Sequence, residues 1–335
     1  MCQVAVVTTG FFDGVHLGHR HVLETVVSLA REKVQEAVVV TFWPHPRTVL
    51  QQDARDFRLL TGLEEKKELL SQAGIDRVEV IPFTRDFAAM KADEYLQLLA
   101  DKYGASLVVM GYDNRIGSDR RIAADLASAG TKVPVLVSEP LFLGRQGTKT
   151  PVSVPGQFSA GPAAEENYFS QGFAKNQFPS AIANPTHKEA VSSTRIRKAL
   201  EEGRIEDANA MLGYRYGLYG VVVAGNKMGR TIGYPTANMQ LYEPLKLVPE
   251  NGVYAVQVEV MGRQYMGMTN IGLRPTVGGT VRTIETHILD FQEDIYGLPL
   301  QLRFLRRIRD ERRFPSLEAL WEQLEKDRKV CEQIV

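Results

Sequence analysis

The chain is poor in residues that would staple or anchor it. Two cysteines, Cys2 and Cys331, stand near opposite ends of 335 residues, which excludes a disulfide framework and leaves no paired thiol spacing for a structural metal. No apolar run approaches the ~20 residues of a membrane span, and the first residues run into a strand-like segment without a basic, cleavable leader pattern. No membrane partner is expected, and a reducing cytoplasm is the expected compartment. Charge of one sign is also lacking: 40 Lys plus Arg balance 40 Asp plus Glu, so no overall basic field recruits nucleic acid. What is present, 44% hydrophobic and 24% charged residues, is the balance of a globular protein long enough for two domains with separate cores.

The stretch Gly10-Phe11-Phe12-Asp13-Gly14-Val15-His16-Leu17-Gly18-His19 carries the first chemistry. An apolar, β-branched run, Val4-Thr9, precedes it, and Val22, Leu23, Val26, Val27 and Ala30 follow at helical spacing, so the stretch is a strand-to-helix turn. The first turn of a helix leaves backbone N–H groups unpaired at the positive end of its dipole, and these attract phosphate oxygens. Gly10, Gly14 and Gly18 allow close approach of backbone and ligand, and Phe12 and Asp13 belong to the same phosphate-facing turn. His16 and His19 stand three apart and share a helix face, where they can brace the charge building on a displaced pyrophosphate. A zinc site of His16, His19 and His21 is the alternative, but no Cys or compact acidic cluster completes its shell.

Strand-like runs at Val4-Thr9, Ala37-Phe42, Val78-Phe83, Leu107-Met110 and Val133-Val137 alternate with helical patterns after His16, over Glu64-Ala73, from Asp86 to Tyr103 and over Arg121-Ala129. This alternation predicts a parallel sheet covered on both faces, with ligands beyond the carboxyl ends of its strands. Two further loops fall there. Trp43-Pro44-His45-Pro46 aims His45 from a stiff turn, and Gly111-Gly117 offers Asp113 and Arg115 to a ribose or phosphate. From Gly144 to about Lys188 the periodicity collapses into Gly, Pro, Ser, Gln, Asn and Ala, an irregular excursion with no catalytic role. Order returns at Val191-Ser192-Ser193-Thr194-Arg195-Ile196-Arg197, a helix N-terminus whose arginines oppose the helix dipole unless a polyphosphate binds there.

After a helical connector through about Leu212 the texture changes. Tyr219-Ala224, Gly252-Val260, Tyr265-Asn270, Thr283-Phe291 and Leu300-Leu305 are strand-like and separated by turns, which predicts an antiparallel sheet closed as a small barrel. A last helix, Ser316-Ile334, places Leu317, Leu320, Trp321, Leu324 and Val330 on its apolar side. The loop Gly225-Asn238 combines glycines and basic residues suited to a phosphate, among them Gly225, Lys227, Gly229, Gly233 and Pro235. Its Thr236 and Asn238 offer neutral oxygens to a hard cation such as Mg²⁺.

His-x-Gly-His at residues 16–19, followed far downstream by Ser-Ser-Thr-x-x-Arg at residues 192–197, resembles the two half-sites of the nucleotidyltransferase superfamily. The longer run is similar to the flavin adenylyltransferase module of bacterial bifunctional riboflavin kinase/FAD synthetases. Gly233-Tyr234-Pro235-Thr236-Ala237-Asn238 resembles the Gly-x-Pro-Thr-Ala-Asn signature of the riboflavin kinase module. Asn251-Ala255, Asn270-Thr276 and Glu285-Phe291 look like its later motifs.

The resemblance implies an α/β protein with a Rossmann-like parallel-sheet nucleotidyltransferase domain at 1–200, a connector at 201–213, and an antiparallel β-barrel riboflavin kinase domain with a C-terminal helix at 214–335. It further implies phosphorylation of riboflavin to FMN and adenylylation of FMN to FAD, with ATP, Mg²⁺ and the flavins as the small molecules bound. Glu285 is then the base of the kinase step. His16, His19, Ser193, Thr194 and Arg197 are clamps on the triphosphate in the adenylyl step, where the FMN phosphate needs no base. His45, Asp113, Arg115 and Arg274 are the expected flavin contacts. The chain departs from the family at Asn114 and Ile116, where aromatics are usual, and in the length of the 144–188 excursion. Two rivals are a transferase for another phosphorylated small molecule and a flavin- or nucleotide-binding regulator with one inactive domain.

Overall fold

The computed structural model describes residues 4–50, 57–141, 190–225, 233–276 and 279–334. The 144–188 excursion, Lys227 and Gly229 lie outside the described residues. The first half runs β1 (Ala5–Thr9), α1 (Leu17–Lys33), β2 (Glu36–Trp43), α2 (Pro46–Leu50), α3 (Leu63–Gln72), β3 (Arg77–Pro82), α4 (Arg85–Ala89), α5 (Ala92–Tyr103), β4 (Ala105–Gly111), β5 (Arg115–Ile116), β6 (Arg121–Ile122), α6 (Ala123–Ser128) and β7 (Val135–Ser138). Five of these strands form one sheet in the order β3-β2-β1-β4-β7, and every pairing in it is parallel.

Alternation along the central strands gives the sheet two apolar faces. Ala5 and Val7 of β1 pack with Val38 and Val40 under α5 and α6 through Tyr95, Leu96, Leu99 and Leu126. Val6, Ala37 and Val39 turn the other way, under Leu23, Val26 and Ala30 of α1 and Leu70 of α3. The chain leaves β1 for β2 on one side and returns to β4 on the other, so the carboxyl end of β1 is the switch point of the sheet, where such folds bind ligands. The Gly10–His19 turn begins there.

The expected helix from Asp86 to Tyr103 is two helices, because Met90 and Lys91 are extended and Lys91 starts a new N-cap. Arg121-Ile122, expected in a helix, pairs with Arg115-Ile116 in a short antiparallel ribbon before α6 begins.

The second half continues with α7 (Ser193–Glu201), α8 (Ile205–Leu212), β8 (Gly217–Val223), β9 (Ala237–Leu241), β10 (Gly252–Val260), β11 (Arg263–Thr276), β12 (Gly279–Ile288), β13 (Pro299–Arg309) and α9 (Leu317–Glu332). Strands β8–β13 close as an antiparallel barrel in the order β10-β11-β12-β9-β8-β13. The β10–β11 connection is tight: Met261 and Gly262 both have positive φ, 53° and 72°, the sense that matches the twist of a hairpin. Strand β9 occupies the end of the Gly225-Asn238 stretch expected to be loop, and it pairs with β8 and β12.

Helices α7 and α8 share the barrel's apolar cluster. Ile196, Leu200, Ile205 and Leu212 pack with Tyr216, Tyr254, Val256 and Phe304, and Leu60 of the first half joins them. The connector is therefore a packed layer. Helix α9 uses only part of the apolar side expected of it: Leu320, Leu324 and Val330 are partly buried, whereas Leu317 and Trp321 are about half exposed. It lies on the barrel through Cys331, Leu324 and Ile334 beside Ala255, Met268 and Leu289. Its buried Asp327 bonds Arg309 at 2.8 Å.

Candidate functional site

The N-terminal site is assembled from both half-sites. His16 caps α1: its Nδ1 accepts the His19 N–H at 3.3 Å, which leaves the ring proton on Nε2 in the neutral form. The two imidazoles stack with centroids 3.7 Å apart and 13° between planes, and the Phe12 ring lies edge-on to His19 at 5.2 Å. His19 Nδ1 is buried and has no hydrogen-bond partner among the described residues.

Ser192 caps α7 by accepting the Arg195 N–H. The adjacent Ser193 hydroxyl donates to the carbonyl of Asp13 at 3.0 Å. Arg197 bonds the Asp13 carboxylate and donates through Nε to the Arg58 carbonyl at 2.9 Å. Thus the start of α7 meets the start of α1, and two dipole ends with unpaired N–H groups converge. Thr194 is exposed.

Burial sets the protonation states. His16 is lowered to about 4 by burial, with Arg197 adding repulsion. His19 is lowered well below its ordinary value by burial and by His16 and Lys66. Both rings are therefore neutral at pH 7, which leaves each one N–H to donate. A depressed base also makes acid destabilising. Below the ordinary histidine value of 6.5 the unfolded chain takes up a proton that folded His16 refuses until about 4. Stability is therefore expected to fall as pH drops through this window, by up to about 1.4 kcal/mol per pH unit from His16. Urea unfolding at several pH values checks this, and a His16→Gln variant should show a shallower slope.

The glycines serve the fold more than the ligand. A Cβ on Gly14, at φ +82°, would meet Leu60 Cδ1 at 2.9 Å, and one on Gly18 would meet the Val191 carbonyl at 3.2 Å. These positions admit the protein's own chain, which explains why the turn lies so close to residues 58–62 and 191. Asp13 is likewise held internally. Its oxygens accept from the N–H groups of Leu60 and Thr61 at 3.0 and 3.1 Å, so its carboxylate orients Arg197 and does not face a phosphate.

His45 is packed between Phe11 and Phe57, at centroid distances of 4.0 and 4.3 Å. Its Nδ1 accepts the Arg47 N–H, and burial with neighbouring Arg197 and Lys66 lowers its pKa to about 3. Asp113 and Arg115 are exposed, whereas Asn114 donates to the carbonyl of Thr9 at 3.2 Å and ties their loop to the end of β1.

Sequence reasoning missed Lys66. It is fully buried, donates to the Phe11 carbonyl at 2.8 Å and lies 3.5 Å above the Phe11 ring. Burial lowers its pKa to about 7. The run Glu64-Glu65-Lys66-Lys67 reads as a solvated face; the available signal was the four-residue spacing that puts Lys66 on the buried side with Leu70.

The second site lies on the outward face of the barrel. In the pairing of β9, β12 and β11, Glu285 stands opposite both Asn238 and Asn270. Its neighbours Ile284 and Thr286 turn inward and are buried. By the two-residue period, Thr236, Asn238, Asn270, Arg274 and Glu285 share one face, and Arg274 bonds the Glu285 carboxylate. Two concavities flank this row. One of about 450 Å³ includes Pro235, Thr236, Phe291, Asp294 and Tyr296 in its lining. The other, of about 430 Å³, includes Asn238, Arg274, Arg282 and Ile284. Gly225 packs against Asn238: a Cβ there would lie 2.1 Å from Asn238 Nδ2, so the absent side chain is what lets the backbone at 225 lie this close to the row. Gly233, at φ +80°, has open space around it.

A doubly covered parallel sheet with a phosphate-ready switch point, joined to a barrel with a carboxylate-amide row, defines a two-domain transferase of nucleotide chemistry. Comparison with known proteins narrows this. Residues 2–139 match the FAD synthetase family model and residues 212–335 the riboflavin kinase model. Among curated relatives, the bifunctional riboflavin kinase/FMN adenylyltransferase of Bacillus subtilis is 33% identical, over 97% of this chain and 90% of its own length. That of Escherichia coli K12 is 32% identical, over 96% and 90%. A crystal structure from Streptococcus pneumoniae, described as a macrolide-efflux protein, superposes with a TM-score of 0.81 at 30% identity, covering 99% of this chain and 95% of that one. Among the described residues no helix is long and apolar enough to cross a membrane. The chain belongs to the bifunctional riboflavin kinase/FMN adenylyltransferase family.

Proposed function

We propose that this chain phosphorylates riboflavin to FMN on the outward face of the barrel and adenylylates FMN to FAD at the β1 switch point, within a division of residues 1–200, 201–213 and 214–335. The observation that carries the adenylyl assignment is the meeting of α1 and α7 through Ser193, Arg197 and Asp13. Residues 180 or more apart in sequence are thereby brought to one turn whose helix N-termini suit a phosphate.

In the adenylyl step the FMN phosphate attacks the α-phosphorus of ATP and pyrophosphate leaves. The nucleophile is already an anion, so no base is required. Neutral His16 and His19 donate to the triphosphate, and Arg197, aligned by Asp13, adds positive charge where negative charge grows. The helix N-terminal N–H groups beside Gly10, Phe12, Gly14, Gly18, Ser193 and Thr194 complete the cradle. His45 closes one side of the site, and exposed Asp113 and Arg115 contact the flavin.

In the kinase step Glu285 draws the proton from the terminal ribityl hydroxyl as that oxygen attacks the γ-phosphorus of ATP, the bond from that phosphorus to the β–γ bridging oxygen breaks and ADP leaves. Arg274 orients Glu285 from the side and also faces the cleft offered to the flavin. Thr236 and Asn238 supply neutral oxygens of the kind that hold Mg²⁺ together with substrate phosphates, and that ion would neutralise phosphate charge. The two flanking clefts give separate room for ATP and riboflavin, with Gly225, Gly233 and Pro235 on the phosphate side. Most of the rate is then positioning and charge neutralisation.

Incubating the full chain with riboflavin, ATP and Mg²⁺ and separating the flavins tests this reading. FAD is the expected end product, with FMN as intermediate. FMN alone would mean an inactive adenylyl site, and no product would reject the enzyme reading in favour of a binding protein.

A further inference from the structure

The kinase domain enters the adenylyl site from behind. The segment after β9, Leu245–Leu247, runs beside residues 58–62 of the first domain as a parallel bridge between Leu59 and Lys246. The Leu59 N–H donates to the Leu245 carbonyl at 2.7 Å, and the Leu247 N–H donates back to Leu59 at 2.8 Å. Lys246 is itself buried. Its Nζ donates to the Leu60 carbonyl at 2.6 Å and to both oxygens of Glu65, at 2.8 and 2.6 Å. Tyr214 adds a second link, donating to the Gly14 carbonyl at 2.7 Å.

Residues 58–62 are thus gripped on two sides. On the far side from Lys246, Leu60 and Thr61 donate to Asp13, Thr61 Oγ1 accepts the Gly14 N–H at 3.0 Å, and the Arg58 carbonyl accepts from Arg197. The contacts that fix Asp13 and the Gly14 N–H, and one of those that hold Arg197, therefore come from a strip of chain whose other edge belongs to the barrel.

We infer that Lys246 of the kinase domain is a positioning residue for adenylyl transfer, acting through the 58–62 strip on Asp13, Gly14 and Arg197. The inference rests on the adenylyl site proposed above. Lys246 touches none of the groups assigned to phosphoryl transfer, yet β9, which begins with Ala237 and Asn238, leads directly into its segment. The second domain is in this sense a structural part of the first domain's site.

The test uses the full chain with Lys246→Met, measuring FAD formation from FMN and ATP, FMN formation from riboflavin and ATP, and the thermal midpoint. The kcat for FAD formation is expected to fall roughly tenfold to a hundredfold, as small displacements of positioning groups do. The KM for ATP should move less than kcat, and FMN formation should stay within about twofold. Lys246→Met leaves the Glu65 carboxylate buried without its cation, so a second variant, Lys246→Met/Glu65→Gln, removes that charge and keeps the acceptor for the Gly62 N–H. The double variant is expected to regain the midpoint and not the kcat. Recovery of kcat together with the midpoint, or equal loss of both activities, would overturn the inference. His19→Ala is assayed alongside: if it abolishes FAD formation while Lys246→Met does not, the coupling alone is rejected. Normal FAD formation by His19→Ala would reject the site on which the inference stands.

Discussion

Replacing His19 by alanine is expected to lower FAD formation from FMN and ATP by about 10²- to 10³-fold, while FMN formation from riboflavin stays near that of the unchanged protein. The magnitude is that of one lost donor to a developing oxyanion in a water-poor site. Burial and the neighbouring cations keep the His19 ring neutral, so its role is to donate a hydrogen bond, and its contribution grows as charge builds on the leaving pyrophosphate. The ring is held in place by His16 on one face and Phe12 at its edge, which favours a loss in kcat over a loss in KM. Separate assays of the two half-reactions measure this directly. Loss of both activities in a folded variant would remove the two-site division.

Glu285→Gln should do the reverse. FMN formation is expected to fall by about 10²- to 10⁴-fold, the usual contribution of a positioned general base, and FAD formation from supplied FMN should persist. Glutamine keeps an oxygen for Arg274, so the barrel face should retain its shape and the loss report proton transfer. Placed in the pairing register opposite Asn238 and Asn270, Glu285 sits in a row of neutral amides, where a carboxylate is the one group able to take a proton. Retention of FMN formation by Glu285→Gln would move the base elsewhere.

Much of this architecture was legible in one sequence because its signals are local. The continuous apolar runs of β1 and β2, the cap at Ser192 and the turn formers between barrel strands each follow from a few neighbouring residues. The two half-sites were also legible as motifs. Where the reading departed from the structure, a distant partner decided the outcome. Helix α9 leaves Trp321 about half exposed and buries Asp327 against Arg309. Lys66 left the solvated face its neighbours suggested because the Phe11 carbonyl and ring offered a site for its ammonium.

The sequence by itself determined the two domains, the sheet and barrel classes, and the residue types at each glycine-rich or capped turn, since periodicity, caps and glycines act over a few residues. Tertiary structure alone decided how those turns are held: Asp13 spent on Arg197, the histidines made neutral by burial, and a kinase-domain lysine set behind the adenylyl turn. Burial and long-range pairing depend on what the fold brings alongside a residue, and neither is written in the residues next to it.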